Sequence, residues 1–280
     1  PFPRSMHAAL LQRLRDDGAA AVGMDVVFAD PTPEPEDAAL ARAIADMAAT
    51  TPVVLAATRE KIDSGNAVLW MDVPPLQRLL DAGAEAGDAG VEPDDDFVVR
   101  RAPSPGEGFA RRLAQRAAQH AGRERALHTF DWIGYTGPRG SYDTRSYYQA
   151  LAPGLLPSGF FQGKIVLVGR SARTATELAR SQADLFNSPF GTLGGDRLFP
   201  GVELQATLVD NYLHGGGLRS VSEGWTWTLT VALLPLLLWA SRRLHPAGAT
   251  ALTAGLPTGV EFHITGPAGS TSDLVEAFGG

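Results

Sequence analysis

The chain contains no cysteine, which excludes disulfide bonds, thiolate zinc sites and cysteine nucleophiles. That absence does not fix the compartment, because many exported bacterial proteins also lack cysteine. Histidine is scarce, six in 280 residues, and none of the six forms an HxxH or HxxxH pair able to grip zinc. Basic residues are outnumbered, 24 against 31 acidic ones, and with a net charge of −7 and no basic stripe the chain is not expected to bind nucleic acid. Neither an initiator Met nor a signal peptide is present, so the sequence reads as a slice of a longer polypeptide. The remaining composition, 44% hydrophobic and 20% charged, suits one large domain or two small ones with ample core.

Apolar periodicity then orders the chain. Residues Met6 to Asp16 place Leu10, Leu11 and Leu14 on one side of a helix. The run from Ala19 to Phe28 is almost continuously apolar, interrupted by Asp25, as in a strand covered on both faces of a parallel sheet. Pro31, Pro33 and Pro35 hold the next stretch extended before a helix from Glu36 to Met47. Pro52 to Ala57 reads as a second strand and Ala67 to Trp70 as a short edge strand. A helix follows Pro74-Pro75, an acidic turn at Asp94 to Asp96 leads into a strand ending at Arg101, and Phe109 to Gly122 is an amphipathic helix. Leu127 to Tyr135 and Lys164 to Gly169 read as further strands. Arg170 to Pro200 reads as loop with a short helix, and Pro200 to His214 as a helix stopped by Gly215-Gly-Gly217. The class is α/β: a mainly parallel or mixed sheet flanked by helices, followed by at least one transmembrane helix.

That transmembrane segment is Gly224 to Ser241, which carries no charge and spans about 27 Å as a helix, close to the hydrocarbon thickness. Trp225, Trp227 and Trp239 sit near its ends, and Arg242-Arg243 follow it, placing its C-terminal end in the cytoplasm. The competing reading is a buried core helix. The expected domains are a sensor at 1–220, a membrane helix at 224–241, and at 242–280 an irregular tail or a truncated or frameshifted membrane region.

Two enzyme motifs nearly form. Ser158 to Ile165 resembles a phosphate-binding loop, but Ser158 stands for its first glycine and Ile165 for the hydroxyl residue that holds magnesium. Gly169-Arg-Ser171-Ala-Arg173 resembles a nucleophile elbow, but Arg173 replaces the glycine that permits the sharp turn. Asp25, Asp30, Asp94, Asp95, Asp96 and Asp184 offer oxygen ligands whose spacing fits no metal loop. Asp25, inside an apolar strand, needs a partner, for which Arg100, Arg101 or Arg170 are available.

Taken in order, Gly23 to Phe28 with Asp30, Asp37 to Ile44, Pro52 to Leu55, Pro93 to Arg101, Ile133 to Pro138, Phe161 to Gly169 and Pro200 to Ala206 resemble a CHASE-type sensory domain, specifically the second CHASE family. The resemblance covers roughly Met6 to Arg243 and is carried most by its last two motifs. It departs at Phe97, where a glycine commonly follows the acidic turn. The resemblance implies an extracytoplasmic ligand-sensing domain on a receptor of the bacterial inner membrane, with the domain in the periplasm. The cytoplasmic effector it implies is an adenylate or diguanylate cyclase, a histidine kinase or a Ser/Thr kinase. No catalytic residue, metal or cofactor is expected. The candidate ligand-binding residues are Asp25, Asp30, Tyr135, Arg170, Asp184 and Glu203; Asp30, Tyr135 and Arg170 come from the rule that open α/β sheets bind at the C-terminal strand ends. The expected partners are a small-molecule or environmental ligand, the membrane and a second copy of the chain in a homodimer. Two alternatives stand beside this: a membrane-anchored periplasmic hydrolase using Ser171, and a structural assembly domain.

Overall fold

A computed structural model describes residues 2–63, 68–103, 108–122, 126–171, 185–190, 198–222 and, within the last apolar stretch, 224–225, 227–228, 231–233, 235 and 239. Residues Pro1–Ser220 form one compact unit.

The centre of that unit is β1 (Ala21–Val27). It pairs in parallel with β2 (Val53–Asp63) on one side and with β5 (Ile165–Gly169) on the other. The first half of β2 also pairs in parallel with β4 (Glu85–Asp88), and its second half pairs antiparallel with β3 (Val68–Val73). The sheet is therefore mixed. Alternation along the strands divides the core. Val22, Met24, Val53, Leu55 and Val168 point to one face, and Ala21, Val54 and Ala56 to the other.

Helices α1 (Arg4–Asp16), α2 (Glu34–Ala48), α3 (Gln77–Asp81) and α5 (Tyr147–Leu151) cover the first face. Leu10, Leu11 and Leu14 are buried there, as the helical spacing predicts. The second face carries α4 (Phe109–His120) and α6 (Gly201–His214). Small residues in the strands let α4 approach: a Cβ on Gly23 would lie 2.5 Å from Leu113 Cδ2, and one on Gly87 2.5 Å from Phe109 Cα. Helix α6 ends where Gly215 takes a left-handed φ of 77°, the conformation that a glycine stop supplies.

Three sequence expectations are corrected. The stretches ending at Arg101 and running from Leu127 to Tyr135 are not strands; they meet through an isolated Arg101–Trp132 bridge, and Trp132 bridges Leu218. Their apolar residues Val99, Phe130 and Ile133 are buried because they close the edge of the second core, not because they join the sheet. The acidic, glycine-rich stretch after Gly83 contains β4, which no apolar pattern announces. Within Arg170 to Pro200, a small antiparallel pair, β6 (Leu185–Asn187) and β7 (Leu198–Pro200), precedes α6, and the short helix expected there lies outside the described residues.

The described residues between 224 and 239 are helical, with Trp225, Trp227, Val231, Leu233 and Trp239 exposed. Among the described residues no helix is long and apolar enough to cross a membrane, and much of the predicted span at 224–241 lies outside them.

Candidate ligand-binding crevice

Adjacent parallel strands β1 and β5 send their connections to opposite faces of the sheet. The chain leaves β1 for α2 on the first face and leaves β5 towards α6 on the second. Where neighbouring strands diverge in this way, a crevice opens beyond their C-terminal ends. A cavity of about 1480 Å³ lies there, lined in its middle by Asp25 to Phe28, Val168, Gly169 and Arg170. On the first face it reaches Phe2, His7, Phe28 and Tyr147; on the second, Phe97, Phe186, Leu204 and Gln205.

The exit from β1 is held rigidly. Arg4, only 6% exposed, donates from Nη1 to Asp37 Oδ1 at 2.5 Å and from Nη2 to the Asp30 carbonyl. Thr32 donates to the same carboxylate through its hydroxyl and, at 3.1 Å to Oδ2, through its N–H. Burial pushes the Asp37 carboxyl up, yet the Thr32 donors together with Arg4 and Arg78 hold it below the usual carboxylate range. Beside this cluster, His7 Nδ1 and the Tyr147 hydroxyl are 2.8 Å apart, and Phe2 stacks on Tyr147. Burial, aided by the Arg4 charge, lowers the His7 pKa, so the imidazole is neutral at neutral pH.

On the second face Gln205 Nε2 donates to the Ala89 carbonyl at 2.9 Å, tying the first turns of α6 to the loop after β4. The acidic turn stands close by. Arg100 donates to Asp94 at 2.8 Å and to Asp96 at 2.8 and 2.7 Å, and these bonds are the main reason the Asp96 carboxyl falls to about 2. Arg100 is thus committed to the turn, and the Arg101 guanidinium lies over the Trp132 ring.

Of the residues expected to bind ligand, Asp25, Asp30 and Arg170 line this cavity. Tyr135 and Glu203 are not among the residues lining it. Tyr135 donates its hydroxyl to the Val99 carbonyl at 2.6 Å and packs edge-on against Phe199, and burial raises its pKa against the opposing charge of Arg100. Glu203 is buried in the first turn of α6, where it accepts a 2.7 Å bond from Gly140 N. Asp184 lies outside the described residues. The lining residues that the sequence pattern did not announce include Phe97, His7, Tyr147 and Gln205. Of these only Phe97 stood out in the sequence, as the residue standing where a glycine commonly follows the acidic turn.

Among the described residues Ser171 is not shown bonded to a histidine. Its hydroxyl accepts from Arg139 Nη2 at 3.4 Å. His214 closes the far end of α6, about 20 Å along a 14-residue helix, with Nδ1 2.7 Å from Asp210 Oδ1 and its side chain 72% exposed. Among the described residues no cluster of three or more His, Asp or Glu is placed to hold a metal ion.

The CHASE2 domain family matches the chain over residues 1–241. No curated protein and no solved structure matches it significantly. With a match across most of its length, the chain belongs to the CHASE2 domain family, a family of extracytoplasmic sensory rather than catalytic domains.

Proposed function

We propose that residues 1–220 are the periplasmic ligand-sensing input of a bacterial inner-membrane receptor, whose cyclase or kinase effector lies elsewhere in the polypeptide. The observation that carries this is the position of α6. Gly201, Leu204 and Gln205 in its first turns line the crevice, and its last turn leads within ten residues to the apolar stretch at 224–241. Its C-terminal end is bonded to the domain: Asn211 accepts from Gly134 N and donates to Gly134 O, both at 2.8 Å, and His128 N donates to Tyr212 O at 2.9 Å. A ligand that favours one position of the α6 N-terminus therefore biases the whole helix and the segment that follows it. Only a difference in affinity between the two positions can drive that shift.

The stretch at 224–241 is uncharged, tryptophan-flanked and followed by Arg242-Arg243, which supports a span with its C-terminal end in the cytoplasm. A homodimer completes the proposal, since paired helices leaving paired domains transmit a change in their separation. Topology reporters fused after Ser220 and after His245 test the placement: activity of an exported reporter at Ser220 and of a cytoplasmic reporter at His245 is expected. A cytoplasmic Ser220 overturns it.

A further inference from the structure

Phe97 is the one residue other than glycine with a positive φ among the described residues, at 60°. A bulky side chain is strained in that region, so the surrounding structure must impose it. It does. Phe97 N donates to Asp94 O at 2.8 Å, Asp94 N to Val98 O at 2.9 Å, and Arg100 clamps Asp94 and Asp96. From β6, Asn187 N donates to Phe97 O at 2.8 Å and Asn187 Nδ2 to Asp96 O at 2.6 Å. Yet the ring held in this way is 65% exposed and lines the crevice, so the strain serves no core packing.

The crevice is lined by apolar residues on both faces of the sheet and by charged residues that follow the strand ends. Phe97, Val91, Phe186 and Leu204 form one patch, and Phe2, Phe28 and Tyr147 the other. Asp25 lies within β1, Asp30 follows it and Arg170 follows β5, while the other charged lining residues are engaged elsewhere, Arg4 with Asp37, Arg59 with Asp72 and Glu36 with Ser5 N. Among the described residues no hydrogen bond or ion pair engages the Arg170 guanidinium or the Asp30 carboxylate, whose residue is tethered only through its carbonyl. A simple anion at Arg170 would meet the Asp30 carboxylate, and a simple cation at Asp30 would meet Arg170. The volume, about 1480 Å³, also exceeds the roughly 300–1,000 Å³ of ordinary small-molecule sites.

We propose that the crevice binds a short zwitterionic peptide with large apolar side chains, its carboxylate on Arg170, its ammonium on Asp30 and one side chain against Phe97. This rests on the crevice being the sensory site. It assigns Phe97 a role in recognition that explains why a strained, exposed phenylalanine stands where glycine is the more stable residue.

The test is calorimetric titration of the whole chain in detergent with four probes: the dipeptide Leu-Phe, its N-acetyl form, its C-terminal amide, and Gly-Gly. Leu-Phe is expected to bind, with at least tenfold weaker binding for the other three. Arg170→Gln is expected to erase the difference between Leu-Phe and its amide, and Asp30→Asn that between Leu-Phe and its acetyl form. Phe97→Gly is expected to weaken Leu-Phe tenfold while leaving the thermal midpoint unchanged or raised, which a merely structural residue would not do. Capped and free peptides that bind equally, but with dependence on Phe97, overturn the zwitterion proposal and leave a sensory crevice of other chemistry. No binding by any probe overturns the peptide proposal, whereas the reporters at Ser220 and His245 decide the sensor reading independently.

Discussion

Gly169 and Val202 are packed so closely that a Cβ on Gly169 would stand 2.7 Å from Val202 Cβ and Cγ2, and 3.1 Å from Asp25 Cβ. The last residue of β5 thus seats the second residue of α6 directly against the sheet, beside the one carboxylate that interrupts β1. Gly169→Ala forces the α6 N-terminus outward, at a cost of about 1–3 kcal/mol for overpacking. Gly108→Ala is the control: its Cβ would meet nothing closer than 3.8 Å, and its cost stays within about 1 kcal/mol. Urea unfolding of both variants checks this. Equal costs would show that the Gly169 contact is not limiting.

The buried Arg4–Asp37 pair predicts an asymmetry. Losing Arg4 leaves Asp37 with the hydroxyl and N–H of Thr32, whereas losing Asp37 leaves a guanidinium, 6% exposed, and both Thr32 donors without that acceptor. Breaking a buried pair costs about 3–5 kcal/mol. Asp37→Ala is therefore expected at the upper end of that range and Arg4→Ala at the lower end, with the double variant costing less than their sum. Chemical unfolding of the three variants gives the coupling directly.

The lowered pKa of His7 makes stability fall with acid. The unfolded chain binds a proton at the ordinary value of 6.5, and the folded chain binds it only at lower pH, so between these points the unfolded state holds more protons. Stability from this group is complete above about 6.5 and declines as pH falls below it. His7→Gln, which keeps a polar partner for the Tyr147 hydroxyl, is expected to flatten the slope between pH 6.5 and 5. Thermal midpoints measured across that range decide it; an unchanged slope would assign the decline to other groups.

How much of this was legible follows from where side chains face. β1, the first half of β2 and β5 are covered by helices on both faces, so Val22, Leu55 and Val168 write continuous apolar runs that identify strands. β4 writes Glu-Ala-Gly-Asp instead, because the backbone of Phe109 lies against Gly87 and no side chain fits there. Val99 and Ile133 misled in the opposite sense: they are apolar because they cap a core, and their backbone partners are single bridges and loop bonds such as Ile133 N to Arg100 O at 2.8 Å. The rule of strand ends named Asp30 and Arg170, which line the crevice, and Tyr135, which does not; Asp25, also in the lining, stood out only as a carboxylate inside an apolar strand. The walls of the crevice were not legible, because His7, Tyr147 and Phe97 come from three segments that only the folded topology brings together.

Asn211 carries the sharpest pH prediction. It is fully buried, and its amide bonds both backbone groups of Gly134, Oδ1 accepting from N and Nδ2 donating to O, at 2.8 Å each. No substitution by Ala restores either bond, and each orphaned buried group costs about 1–3 kcal/mol. Asn211→Asp keeps the acceptor for Gly134 N but turns its second oxygen on Gly134 O and buries a charge, so at neutral pH it is expected to be less stable than Asn211→Ala. Protonation reverses this, because a neutral carboxyl donates to Gly134 O as the amide did. Burial and the facing carbonyl raise the folded pKa of the introduced Asp above its unfolded value, so the folded state binds more protons and stability rises as pH falls through the folded value. The variant should therefore gain stability on mild acidification over the range in which the parent loses it through His7. Unfolding midpoints of the two proteins at pH 7 and pH 5 should converge; midpoints that stay parallel would mean that α6 is not fixed to the 128–135 segment through this amide.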